Sequence, residues 1–94
     1  MKTIRKYHLQ PNKHQTIKLP TGSRILGVDA KGEDTPVLWA LVDPEKDTEL
    51  KSLALYATGT ELPDDPGHYL GSFQLFDGTL EFHAFEEQTL STQE

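Results

Sequence analysis

The chain has 94 residues and carries 9 Lys and Arg against 15 Asp and Glu, a formal charge of −6. That length allows one domain, and that charge argues against holding duplex nucleic acid through phosphate neutralisation. Cysteine is absent, which excludes disulfides, thiolate metal sites and thiol nucleophiles.

A domain of this size hides only about 60 to 65 % of the surface its unfolded chain exposes. The hydrophobic share is a low 35 %, so self-association into a homo-oligomer is expected to add stability. No apolar run approaches the roughly 18 residues of a membrane span. The opening MKTIRKYHL lacks the apolar core of a signal peptide. A cytoplasmic protein without a membrane partner is the expectation.

Residues 3–9, TIRKYHL, mix β-branched and aromatic residues with long cations, as a half-exposed edge strand does. Gln10, Pro11, Asn12 and Lys13 break that run. Residues 14–19 then alternate, with Gln15, Ile17 and Leu19 on one side, until Pro20-Thr21-Gly22 ends them. The four-residue break predicts a first hairpin between the two segments. Residues 23–30 place Arg24, Leu26, Val28 and Ala30 on one face and Ile25 and Gly27 on the other, with Gly27 marking a bulge or a close approach. A polar turn is predicted over 31–34. Residues 36–42, PVLWALV, are apolar on both faces and predict the central strand, with Trp39 as a core residue.

The acidic run 43–49 reads as a loop, too short for an independent helix. Residues 50–57 resume as a strand, with Lys51, Leu53 and Leu55 on one side. Residues 58–67, TGTELPDDPG, form the longest non-strand segment. After it, residues 69–86 predict a hairpin closed by Asp77-Gly78, since a type I′ turn needs positive φ at both central positions. That turn sets Leu75 opposite Leu80, Phe73 opposite Phe82 and Gly71 opposite Ala84 on an apolar face. Gln74 then faces Glu81 and Ser72 faces His83 on a polar one. Residues 88–94 read as a polar tail after a single β domain over 1–87. About seven short strands with regular turn signals and no long helical pattern predict an all-β antiparallel sandwich or small barrel.

The phrases LWALVDP at 38–44, TGT at 58–60, LPDDPG at 62–67, YLGSFQ at 69–74 and FHAFE at 82–86 resemble a family of small uncharacterised proteins common in bacteriophages and prophages. The resemblance spans about residues 7–86. It implies a phage accessory protein acting in an infected bacterial cytoplasm. Because the family carries no established activity, the resemblance transfers no catalytic or ligand residue. By analogy with compact phage accessory proteins, it implies inhibition or sequestration of a host component, including nucleotide signals of antiviral defence.

The four histidines, His8, His14, His68 and His83, show none of the tight spacings of a zinc site. No metal or cofactor is expected. His83, at a polar position between Phe82 and Phe85, is the best ligand contact among them, against a plain hydrogen bond across the hairpin to Ser72 or water. Asp64 and Asp65 beside Pro66-Gly67 are turn formers first and an acid–base pair with His68 only second. Neither a nucleophile elbow nor a Walker loop nor a dinucleotide fingerprint occurs, so no catalytic residue is assigned.

Tyr56, Thr58, Gly59 and Thr60 leave one strand, and His68 and Tyr69 enter the next. Aromatic faces stack nucleobases, and hydroxyls with glycine amides bind phosphate or ribose oxygens. Arg5 and Arg24, the two arginines, are the candidates for bidentate phosphate contacts. With His83 these nine residues are the predicted ligand site for a nucleotide-like small molecule. A protein-binding inhibitor of a host factor, or a virion accessory, using a sheet edge or strand 36–42, is the alternative. A small hydrolase built on His68 or His83 with Asp64 or Asp65 ranks third. Acid-rich loops at 43–49, 61–65 and 86–87 read as solubility rather than nucleic-acid mimicry.

Overall fold

The computed structural model describes residues 1–11, 13–31 and 35–87. It contains seven strands: β1 (Thr3–His8), β2 (His14–Pro20), β3 (Arg24–Lys31), β4 (Thr35–Val42), β5 (Thr48–Ala57), β6 (His68–Leu75) and β7 (Leu80–Glu86). All pairings are antiparallel. They form a three-stranded sheet in the order β1-β4-β3 and a four-stranded sheet in the order β2-β5-β7-β6. The fold is an all-β sandwich, as the alternating runs predict. Of the turn predicted over 31–34, residue 31 ends β3 while 32–34, like the tail at 88–94, lie outside the described residues. Among the described residues no helix is long and apolar enough to cross a membrane.

The core lies between the sheets. Leu38, Ala40 and Val42 of β4 face Leu53 and Leu55 of β5, Phe73 and Leu75 of β6 and Ala84 of β7, with Leu9 and Leu19 closing it. Burying each of the larger side chains contributes about 1.5 to 3 kcal/mol. The same residues carry the period of two along their strands, so one-residue slips would turn the core outward.

The predicted first hairpin does not form. β1 pairs with β4 and β2 with β5, so the two strands belong to different sheets. The link between them is a crossing from one layer to the other: Leu9 is buried, its N–H donates to the Pro36 carbonyl at 2.9 Å, and Leu55 N–H donates to the Lys13 carbonyl at 2.8 Å. A short linker fits a hairpin or a crossing equally well. The apolar Leu9 within it favours the crossing, because a hairpin loop on the surface would leave that side chain in water.

The last hairpin has the predicted register throughout: Leu75 with Leu80, Gln74 with Glu81, Phe73 with Phe82, Ser72 with His83 and Gly71 with Ala84. Asp77 and Gly78 have φ of 55° and 85°, and Thr79 N–H donates to the Phe76 carbonyl at 3.0 Å. The acidic segment after β4 is a turn, with Lys46 N–H donating to the Asp43 carbonyl at 3.1 Å.

Two strands depart from strict alternation. In β3 the register against β4 shifts between Ile25 and Gly27, so Leu26 is an extra residue. Ile25, Val28 and Ala30 therefore pack against the core, whereas the expected face grouped Val28 and Ala30 with Arg24 and Leu26. Trp39 pairs with Lys6 and Gly27 on the outer face and is half-buried, not a core residue. β4 is central in its sheet, as predicted, and its Val37 is also buried.

Candidate functional site

The two irregularities of the fold meet at one place. β3 is an edge of the three-stranded sheet and β6 an edge of the four-stranded sheet. They approach closely enough that a Cβ added at Gly71 would lie 3.2 Å from Val28 Cγ2. Each edge strand carries a bulge there: Leu26 in β3, and Leu70 in β6, where the register against β7 shifts between Tyr69 and Gly71. A bulge bends its strand and re-aims the flanking side chains, and bulges concentrate at sheet edges and binding sites. Two of them across one seam open a cleft of about 380 Å³ lined by Ser23, Arg24, Ile25, His68, Leu70 and Glu86.

The local sequence explains each wall. Ser23 ends the turn after β2, and its hydroxyl donates to the Pro20 carbonyl at 2.6 Å, which leaves the oxygen free only to accept. Ile25 and Leu70 supply apolar walls and pack against the core on their inner side. His68 and Glu86 are cross-strand partners in the β6–β7 ladder. Gly67, at φ 108°, lets the preceding loop press against the Glu86 carbonyl, where any Cβ would overlap it. The loop thereby ends flush with the cleft.

Charges in the cleft are unequally satisfied. Glu86 Oε2 lies 3.2 Å from Lys51 Nζ, with both side chains 28 % exposed. Arg24 makes no side-chain hydrogen bond or ion pair among the described residues. Arg24 borders the cleft at the start of β3, exposed and opposite Leu41 in the ladder, so its free guanidinium is within the reach of a long side chain from the cleft mouth rather than packed into it. Ser23, Ile25, Leu70 and Glu86 were not among the predicted site residues. For Glu86 a signal existed: it shares the face of Leu80, Phe82 and Ala84, where a carboxylate interrupts an apolar pattern.

The nine predicted residues divide into separate groups. Arg24 and His68 share the cleft. Arg5 lies on β1, separated from β3 by the whole of β4. Gly59 and Thr60 form an exposed turn, with Thr60 N–H donating to the Ala57 carbonyl at 3.1 Å. Tyr56, Thr58, Tyr69 and His83 come together elsewhere, on the outer face of the four-stranded sheet.

There the rings pack edge to face. Tyr56 is 2 % exposed beneath His14 and Phe85, at centroid distances of 6.4 and 5.8 Å, and Tyr69 meets Phe85 at 5.3 Å. Burial, and then the Glu87 carboxylate, raise the Tyr56 phenol above its ordinary pKa. Thr58 Oγ1 lies 3.2 Å from Glu81 Oε1 and 2.8 Å from His83 Nε2, and Tyr69 OH lies 3.0 Å from His83 Nδ1. The Thr58 hydroxyl donates toward Glu81, whose Oε1 and carbonyl oxygen lie at 3.2 and 3.3 Å, and the tautomer compatible with that donation has neutral His83 donating from Nε2 and accepting the Tyr69 hydroxyl at Nδ1. Ser72, opposite His83 in the ladder, is not the partner of its ring. Asp64 and Asp65 are exposed, and Asp65 Oδ1 accepts from Gly67 N–H at 3.3 Å, a turn contact. Among the described residues no group of three or more His, Asp or Glu converges on a common point.

The chain is thus a small two-sheet β protein with a lateral cleft between its bulged edge strands. The chain belongs to the family described as Domain of unknown function (DUF7352), whose match covers residues 1–94. No curated protein and no solved structure matches it.

Proposed function

We propose that the protein is a non-enzymatic binding protein that captures a small nucleotide-like anion in the cleft between β3 and β6. The observation that supports this is a concave site of about 380 Å³ bordered by Arg24, whose side chain has no partner among the described residues, together with His68 and two apolar residues. Clefts that combine apolar walls with a few convergent polar groups are where small ligands bind. Arg24 takes the phosphate, and Ile25 and Leu70 pack on the base. The motif resemblance to phage proteins supports a role in withholding a nucleotide signal from host defence.

Titration of labelled protein with linear and cyclic nucleotides, followed by amide shifts, tests the reading. Shifts centred on residues 23–25, 68–70 and 86, with the ligand recovered intact after denaturation, are expected. Recovery of a cleaved product, or shifts confined to Tyr56, Thr58 and His83, would overturn it.

A second reading draws on the outer face of the three-stranded sheet, where Ile4 is 59 % and Leu26 47 % exposed beside Leu41 and Trp39. That face suits a protein partner. Co-purification of a host or phage polypeptide, abolished by Ile4→Asp, is the outcome that would favour it over small-molecule capture.

A further inference from the structure

We propose that the free edge of β1 takes an acidic, extended segment of a partner protein as an added strand. The proposal rests on the protein-partner reading and not on the cleft, from which β4 separates this edge. β1 pairs with β4 alone, and the Leu9 N–H bond to the Pro36 carbonyl at 2.9 Å marks that pair as a hydrogen-bonded position of the ladder. Such positions alternate in an antiparallel pair. Thr3, Arg5 and Tyr7 therefore turn their backbone groups to β4, and Ile4, Lys6 and His8 turn theirs outward, without a partner among the described residues. A row of unpaired N–H and C=O groups is a template for another strand. The other edges are less open: β3 and β6 meet across the seam, and β2 ends in Pro20, which has no N–H. β1 is exposed at every residue but Tyr7.

Charge decides which strand fits. Residues 1–28 hold Lys2, Arg5, Lys6, Lys13, Lys18 and Arg24 and no acid, in a chain whose formal charge is −6. Lys2, Arg5 and Lys6 make no ion pair among the described residues; the ion pair at this end joins the Met1 amino group to Asp43 at 3.6 Å. A second copy of β1 is the wrong partner. In the two symmetric antiparallel registers that overlap most, either Lys6 or Arg5 stands opposite its own copy, and like charges directly opposite destabilise a pair. An oligonucleotide would meet the same cations, but phosphates only accept, so it would leave the Ile4, Lys6 and His8 carbonyls unpaired. A peptide strand satisfies both rows, with carboxylates opposite Arg5 and Lys6 and an apolar side chain opposite Ile4, which is 59 % exposed.

The capped peptide Val-Thr-Glu-Glu-Val-Thr, its counterpart with both Glu replaced by Lys, and a single-stranded oligonucleotide, each fluorescently labelled, test this by anisotropy with the intact protein. Amide hydrogen exchange is followed in parallel. The Glu peptide is expected to bind more tightly than the Lys peptide, to weaken with salt, and to slow exchange selectively at Ile4, Lys6 and His8. Ile4→Pro removes one outward N–H and leaves the β4 ladder intact, so it is expected to weaken binding about three- to tenfold, the order of one hydrogen bond. Arg5→Glu with Lys6→Glu is expected to reverse the preference toward the Lys peptide. Equal binding of the two peptides would overturn the charge argument, and so would tighter binding of the oligonucleotide. Shifts at Leu26, Trp39 and Leu41 without protection at Ile4, Lys6 and His8 would overturn the edge and leave the outer face as the protein site. Protection that rises with protein concentration alone would overturn the proposal in favour of a second copy, and failure of the Glu peptide to bind at millimolar concentration would overturn it outright.

Discussion

Gly71 of β6 and Val28 of β3 set how closely the two sheets meet, for a Cβ at position 71 would stand 3.2 Å from Val28 Cγ2. Gly71 has φ 148° and directly follows the Leu70 bulge. The positive φ favours glycine there, and a Cβ would in addition require the Val28 methyl to give by a few tenths of an ångström. Gly71→Ala is expected to cost about 2 kcal/mol, from strain of the order of 1 to 3 kcal/mol per such residue plus the contact. Denaturant unfolding of Gly71→Ala and of Gly71→Ala with Val28→Ala separates the two. The double variant recovers the steric part and keeps the strain.

Gly67 and Gly59 are both at positive φ, 108° and 91°, but only Gly67 lacks room for a Cβ. Gly59→Ala is expected to lose about 1 kcal/mol, from left-handed strain alone. Gly67→Ala is expected to lose more, about 2 to 3 kcal/mol, because the Glu86 carbonyl must move. Equal losses in urea unfolding would contradict the close seat of the loop on β7.

His83 is expected to be the Nε2–H tautomer when neutral, because Glu81 claims the Thr58 proton. Nitrogen chemical shifts of the ring report this directly. Thr58→Val removes the acceptor for Nε2–H and is expected to cost about 0.5 to 1 kcal/mol at this exposed site, with the tautomer mixture shifting toward Nδ1–H.

Tyr56 makes stability depend on alkaline pH. Its phenol is raised by burial and by Glu87, so the folded state holds the proton more tightly than the unfolded one. That contribution is complete below the unfolded value of about 10 and is lost as pH rises through the higher folded value. Tyr56→Phe is therefore expected to lose less stability than the parent between pH 9 and pH 11. Parallel stability curves for the two proteins would show that Tyr56 ionises as freely folded as unfolded.

Much of this architecture was readable in advance where the signal was local. Asp77-Gly78 placed the turn, and period-two alternation then paired Phe73 with Phe82 and Leu75 with Leu80. Pro36 to Val42 was readable as the central strand because both its faces are apolar. The candidate site was only half legible. Arg24 and His68 stood out as cation and imidazole beside turns, but nothing in their neighbourhood showed that 44 positions of chain fold back to join them. Tyr56, Thr58, Tyr69 and His83 did gather, on the outer face instead, because the parity of β5 and β7 carries those side chains away from the core.

By itself the sequence determined an all-β antiparallel fold without cysteine chemistry and the register of its last hairpin. These depend on turn dihedrals and on a strict period of two, both set by residues close along the chain. Gly27 signalled the β3 bulge, but tertiary structure alone decided that β1 leaves β2 for β4, that Leu70 becomes a bulge, and that β3 and β6 meet beside Arg24, His68 and Glu86. Those outcomes depend on which faces bury the most apolar surface once both sheets are present, a quantity that no single segment carries.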